Sequence, residues 1–73
     1  MECRLRSILP ILDMSQKQLA EKLGKHRNTI TNISRNETVP SLDLAFAIVD
    51  ILNERAESLG IEKRWYIEDV WER

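Results

Sequence analysis

Residues 14–36 read MSQKQLAEKLGKHRNTITNISRN and contain the signals that decide the fold. Ser15 followed by Gln18 has the S-x-x-Q form of a capping box, in which each side chain satisfies a backbone N–H that the first turn of a helix leaves free. Gly24 stands where a helix needs a left-handed C-terminal residue. The pattern predicts a helix over Gln16–Leu23 that ends in a sharp turn.

A second helix must begin only a residue or two after this turn. Ile30 and Ile33 give it a thin apolar back, and Asn36 suits its end because asparagine tolerates a left-handed backbone. The pattern predicts a helix over residues 27–35. Two short helices joined tightly through a glycine, the second with a polar outer face, are the pattern of a helix-turn-helix.

Another helix is expected before this pair, over residues 5–12. Pro10 complicates it, because proline lacks an N–H and its ring crowds the carbonyl four residues back. Either Ser7 caps a short helix with Pro10 in its first turn, or the helix bends.

Two more helices are expected after the pair. Pro40 ends the connection and Ser41 is suited to cap a long fourth helix. Its apolar residues keep helical spacing as far as Gly60, although a break near Asn53 would also fit; they are Ala45, Ile48, Leu52, Ala56 and Leu59. The last predicted helix covers residues 65–71, with Ile67, Val70 and Trp71 on one face, and a short strand over residues 65–67 is the alternative.

Composition narrows the possible function classes. The chain has 73 residues with one His, one Cys and two Gly, which suit one small all-α domain over residues 1–73 and no second core. A lone Cys3 forms no internal disulfide, and one His with one Cys cannot supply a zinc site, so we expect no metal, no cofactor and no enzymatic activity. No segment is long and apolar enough for a membrane span, so a cytoplasmic protein is expected.

Charge is distributed unevenly along the chain. Residues 1–36 carry seven basic and three acidic side chains, whereas residues 37–73 carry four basic and nine acidic ones. This difference is either ordinary variation on a charged surface or the division between a basic binding half and an acidic half that faces away from it.

The polar face of the third predicted helix carries the functional hypothesis. Its members fall on one side of the helix, opposite the two isoleucines: Arg27, Asn28, Thr31, Asn32 and Arg35. The arginine fork matches the O6 and N7 acceptors of guanine, and the asparagine amide matches the N6 and N7 atoms of adenine. The face therefore suits the major groove of double-stranded DNA, although a solvated polar face of an ordinary bundle has the same composition.

Three motifs resemble the XRE family, the helix-turn-helix regulators similar to lambdoid phage repressors and Cro. They are S-Q-x-x-L-A-x-x-L-G at residues 15–24, R-x-T-I-x-x-I at residues 27–33 and P-S-L at residues 40–42, and the match extends without a gap over about residues 4–52. The resemblance implies a lambda-repressor-like bundle of five helices. It also implies a transcriptional repressor or autoregulator that binds inverted-repeat operator DNA as a homodimer.

The resemblance implies two groups of DNA-contacting residues. The base-reading positions are Arg27, Asn28, Thr31 and Asn32, and the phosphate-contacting candidates are Gln16, Thr29, Arg35 and Asn36. Several positions depart from the family pattern, beginning with Lys25, where the family usually has a small apolar residue. His26 stands where the family has a Ser or Thr cap, and Leu9 with Ser34 stand where the family often has an Arg–Glu pair.

The tail is a further departure, because residues 54–63 are inserted before the closing helix. Their simplest use is an extended fourth helix. Residues 54–73 are a candidate dimerisation tail, in which Trp65, Tyr66 and Trp71 are either core residues or a dimer contact. A second function class also remains open at this point: a protein-interaction module, such as an antitoxin or an adaptor for transcription machinery, with the protein partner bound through the acidic C-terminal half.

Overall fold

The computed structural model describes residues 2–72, and its elements confirm the all-α bundle of five helices. In chain order they are β1 (Glu2–Cys3), α1 (Leu5–Ile11), α2 (Gln16–Leu23), α3 (Arg27–Ser34), α4 (Leu42–Ser58), α5 (Ile67–Val70) and β2 (Trp71–Glu72). The two-residue strands pair antiparallel, with Cys3 opposite Trp71. The sequence does not predict this pairing of the two ends of the chain.

The helix α1 contains Pro10 as its penultimate residue. Its N-cap is Arg4, so the alternative in which Ser7 caps the helix is wrong: Ser7 lies inside the first two turns. Proline in the last turn costs little, because it removes only the bond that would reach the carbonyl of Arg6, and Arg6 is exposed to water.

The helix-turn-helix has the predicted end signals. Ser15 accepts a hydrogen bond from the backbone N–H of Gln18, and the Gln18 side chain accepts one from the N–H of Ser15, which completes the capping box. Gly24 is left-handed, with φ at 68°. Asn36 is also left-handed after α3, with φ at 65°, as its position predicts. The last helical residue of α3 is Ser34, one residue earlier than expected.

The helix α4 is the long helix that the sequence predicts, without a break at Asn53. Ser41 caps it by accepting a hydrogen bond from the N–H of Leu44. Its core-facing residues are Ala45, Ile48, Val49, Leu52 and Ala56. The placement of Leu59 on this stripe is wrong, because the helix ends at Ser58 and Leu59 is exposed.

The tail folds back along α4 and packs on the same core. Asn53 holds it by donating to the carbonyl of Trp65 at 2.9 Å and accepting from the N–H of Trp65 at 2.8 Å. Trp65 and Trp71 are buried core residues, whereas Tyr66 is exposed. The helix predicted over residues 65–71 is shorter, because Trp71 leaves α5 and pairs with β1; residues 65–67 contain no strand.

One hydrophobic core joins all five helices and the strand pair. Its largest fully buried side chains are Leu5, Leu12, Leu19, Ile30, Ile33, Ile48, Leu52 and Val70. Among residues 2–72, no helix combines the length and the apolar content that a membrane crossing requires.

Candidate nucleic-acid interface

The outer face of α3 is solvent-exposed and polar. Arg27, Asn28 and Asn32 are exposed on the helix, and Arg35 is exposed at its C-cap. The opposite face is buried through Ile30 and Ile33. Core packing therefore fixes the rotation of α3 and leaves guanidinium and carboxamide groups pointing into solvent, as the sequence analysis expects.

Thr31 differs from its neighbours on this face. It is only partly exposed, and its hydroxyl donates to the side-chain oxygen of Gln16 at 2.9 Å. The side-chain nitrogen of Gln16 donates in turn to the hydroxyl of Ser34 at 3.2 Å. Gln16, the first residue of α2, thus spans one turn of α3 and fixes the two helices relative to each other.

Ser34 is the buried end of this network. Its hydroxyl donates to the backbone carbonyl of Thr31 at 3.0 Å and accepts from Gln16, so the hydroxyl is satisfied in both directions. Leu9 and Ser34 occupy the two positions where the family often has an Arg–Glu pair, and Leu9 is buried in the core. Both residues are neutral, so no buried charge is left without a partner, which is compatible with a stable fold.

The amino ends of α2 and α3 border a shallow, open depression. It is lined by Ser15, Gln16, Lys17, Arg27, Asn28 and Thr31. Helix amino ends favour anions because their free N–H groups and the helix dipole present positive charge. This depression brings a phosphate candidate, Gln16, next to the base-reading candidates Arg27 and Asn28.

Lys17 is a residue that the sequence analysis missed. It lines this depression and also the neighbouring one, where Lys25, His26 and Arg27 lie. Lysine carries a point charge suited to phosphate oxygens. Its position in the first turn of α2, next to Gln16, is the sequence signal that could have identified it.

His26 caps α3 despite its departure from the family residue. Its ring Nδ1 accepts a hydrogen bond from the backbone N–H of Asn28 at 3.1 Å. The ring does so as the neutral tautomer protonated on Nε2, since a protonated Nδ1 cannot accept. The cap leaves the first residue of α3, Arg27, exposed at the helix start.

The remaining phosphate candidates lie beside the reading face. Thr29 is partly exposed within α3. Asn36 is exposed in the following loop, and its side-chain oxygen accepts a hydrogen bond from the backbone N–H of Cys3 at 2.7 Å. This bond ties β1 to the end of α3 and leaves the amide N–H groups of Asn36 available as donors.

Comparison with known proteins agrees with this geometry. The sequence model described as "Helix-turn-helix" matches residues 11–59. An uncharacterised HTH-type transcriptional regulator of Archaeoglobus fulgidus is 37% identical over 68 residues, which cover 89% of this chain and 97% of that protein. A second from the same organism is 30% identical over 73 residues, covering 100% and 99%. One from Methanocaldococcus jannaschii is 34% identical over 61 residues, covering 84% and 92%.

Proposed function

This chain belongs to the XRE-type helix-turn-helix family of DNA-binding transcriptional regulators, and we propose that it is a repressor or autoregulator acting in the cytoplasm. In this proposal it binds inverted-repeat operators as a homodimer. Helix α3 enters the major groove, and the amino end of α2 lies against the sugar-phosphate backbone.

The observation that carries the proposal is the exposed donor face of α3. Arg27, Asn28 and Asn32 project from a helix whose other side is locked into the core. All three side chains carry hydrogen-bond donors, and the guanidinium and carboxamide groups match the major-groove edges of guanine and adenine. A groove for a protein helix would instead expose apolar anchors at helical spacing, and this face has none among residues 27–35.

We assign two roles to the surrounding residues. Arg27, Asn28, Thr31 and Asn32 read bases, with Thr31 restricted by its bond to Gln16. The phosphate contacts are Gln16, Thr29, Arg35 and Asn36, and Lys17 joins them because it lines the same depression.

Selection of bound duplexes from a random library tests the proposal. We expect enrichment of one motif with two inverted halves about 10 base pairs apart, because a two-fold dimer contacts one face of the duplex one turn apart. The double variant Arg27→Ala/Asn32→Ala is the control and should enrich no motif. If the unchanged protein enriches no motif at low salt, the proposal is wrong.

A transcription assay separates repression from activation. A template that carries the selected motif across its promoter should yield less transcript as the protein is added, and a template with the motif scrambled should not. An increase in transcript from the first template would contradict the repressor assignment while leaving specific DNA binding intact.

A further inference from the structure

The ring of His26 has one nitrogen that the fold uses and one that it leaves free. Nδ1 accepts a hydrogen bond from the backbone N–H of Asn28 at 3.1 Å, and the residue is exposed to solvent. We propose that the Nε2–H group of His26 donates a hydrogen bond to N7 of a guanine in the operator, which makes His26 a specificity-determining residue as well as a helix cap. The inference rests on the proposed function and adds a base contact to those of α3.

The cap bond determines what the free nitrogen can do. A neutral imidazole has one N–H group, and because Nδ1 accepts, the proton lies on Nε2. The two nitrogens point to nearly opposite sides of a flat, rigid ring, so the bond from Nδ1 to the first turn of α3 directs the Nε2–H group away from that helix. Among residues 2–72, the ring forms the cap bond and no other hydrogen bond or ion pair. The side chain therefore offers an outside acceptor one donor in a fixed direction.

His26 lies at the edge of the surface that faces DNA in the proposed function. A recognition helix presents its amino-terminal residues to base edges in the major groove. His26 immediately precedes Arg27, the first residue of α3, and both residues line the same depression. The free donor of His26 therefore lies next to the first base-reading candidate.

Charge favours a base over a phosphate as the acceptor. The charged groups that border the depression with His26 are Lys17, Lys25 and Arg27, which are cations, and Glu21, which is a carboxylate. A lysine ammonium on its flexible stem carries the charge that attracts a phosphate. His26 is neutral in its capping form and shorter than lysine, so it competes poorly for a phosphate beside Lys17 and Lys25. An uncharged base edge is the acceptor that suits it.

A single N–H donor selects guanine among the four bases. In the major groove guanine presents two neighbouring acceptors, N7 and O6, whereas adenine presents a donor beside its N7 and cytosine presents only a donor. Thymine presents its O4 acceptor next to a methyl group. A donor of fixed direction meets a second acceptor beside the first only at guanine. Because the cap already orders the ring, DNA binding need not immobilise a flexible side chain to make this contact.

The first test compares the operators that the unchanged protein, His26→Ser and Arg27→Ala select from a random library. Serine keeps an acceptor for the N–H of Asn28, but its hydroxyl ends short of the position of Nε2, so His26→Ser separates capping from base contact. We expect a guanine next to the base pair whose preference Arg27→Ala abolishes. His26→Ser should lose about three- to tenfold of the preference for this guanine, the factor that one neutral hydrogen bond supplies, and should keep the rest of the motif.

The second test uses modified DNA and the unchanged protein. In 7-deazaguanine a carbon replaces N7 and base pairing is kept. This base at the assigned position should weaken binding of the unchanged protein by about three- to tenfold and leave binding of His26→Ser unaffected, because that variant has already lost the contact. The same base placed outside the motif is the control and should affect neither protein.

The possible contrary results differ in what they overturn. If His26→Ser selects the complete motif, or if 7-deazaguanine leaves binding of the unchanged protein intact, this inference is wrong and the proposed function stands. Equal weakening of all duplexes by His26→Ser, with the motif unchanged, would assign the ring to a phosphate and also overturn the base contact. If the unchanged protein enriches no motif at low salt, the proposed function fails together with the inference.

Discussion

The hydroxyl of Thr31 donates a hydrogen bond to the side-chain oxygen of Gln16, so the first residue of α2 holds the second turn of α3. The same side chain reaches Ser34 with its nitrogen. One neutral amide thus sets the orientation of the helix that presents Arg27 and Asn28, and it lies in the depression where a backbone phosphate is expected.

Substitutions at Gln16 and Thr31 should be energetically coupled, because the two side chains share a hydrogen bond. We expect Gln16→Ala and Thr31→Val each to lower the free energy of unfolding by about 1 kcal/mol, with a coupling of about 0.5–1 kcal/mol in the double variant. Urea unfolding of the four proteins checks this. Strict additivity of the two losses would show that the bond does not stabilise the helix pair.

Arg27 and Lys17 should respond differently to substitution by alanine. Loss of a base contact at Arg27 should cost roughly 1–3 kcal/mol on the selected duplex and relax specificity at one base position. Loss of Lys17 should weaken binding to all duplexes about equally. It should also reduce the salt dependence of the binding constant by the contribution of about one phosphate contact. Fluorescence anisotropy over a salt series, on selected and random duplexes, separates the two. Identical profiles for both variants would contradict these roles.

The cap of α3 predicts a stability change at His26. His26→Ala removes the acceptor that the N–H of Asn28 uses and should lower the free energy of unfolding by about 0.5–2 kcal/mol. His26→Ser is the matched control, because serine supplies an acceptor at the same position and should restore most of the loss. A thermal unfolding series measures both. Equal stability of the two variants would exclude a capping role.

The attachment of the tail to α4 depends on Asn53. Asn53→Ala leaves both backbone groups of Trp65 without their partners and should cost about 2 kcal/mol. Ser58→Ala, at an exposed position of the same helix, is the control and should change stability by less than about 0.5 kcal/mol. Tryptophan emission during urea unfolding reports the release of the tail. A change at Asn53 no larger than the control would show that packing alone holds this segment.

The buried thiol of Cys3 predicts a loss of stability in alkali. Burial raises the pKa of Cys3 above its ordinary value of about 9, against a smaller opposite effect of the backbone N–H of Leu5. Folded and unfolded chains both keep the proton below this pH, and above it the unfolded chain releases its proton first, which favours unfolding. The stability of the unchanged protein should therefore fall more steeply between pH 8 and 10.5 than that of Cys3→Ala. Parallel pH profiles would rule the effect out.

Local signals in the sequence predict most of the fold. The Ser15 box, Gly24 and the Ser41 cap act within a few residues, so the ends of α2 and the start of α4 follow from the chain alone. Helical spacing likewise predicts which face of α3 is buried. The apolar spacing fails where the chain leaves a helix before the pattern ends, at Leu59 after α4 and at Trp71, which pairs with β1.

The remaining features depend on partners far apart in the chain. Asn36 bonds to Cys3, Cys3 pairs opposite Trp71, and Gln16 reaches Ser34. Each residue alone has an ordinary local use, as a loop end, a thiol or a phosphate contact. Only the packing of the helices brings such groups together, and spacing in one sequence does not encode that proximity.

The pairing of β1 with β2 places residues 2 and 72 side by side, and an ion pair between Arg4 and Glu72 closes the same corner. Residues 2 and 72 are therefore close enough for a short glycine linker to connect them in a circular permutant whose new ends lie at exposed Gly60. The permuted chain would keep α2 and α3 contiguous. A tag fused to its new ends would not be attached at the corner near the end of α3.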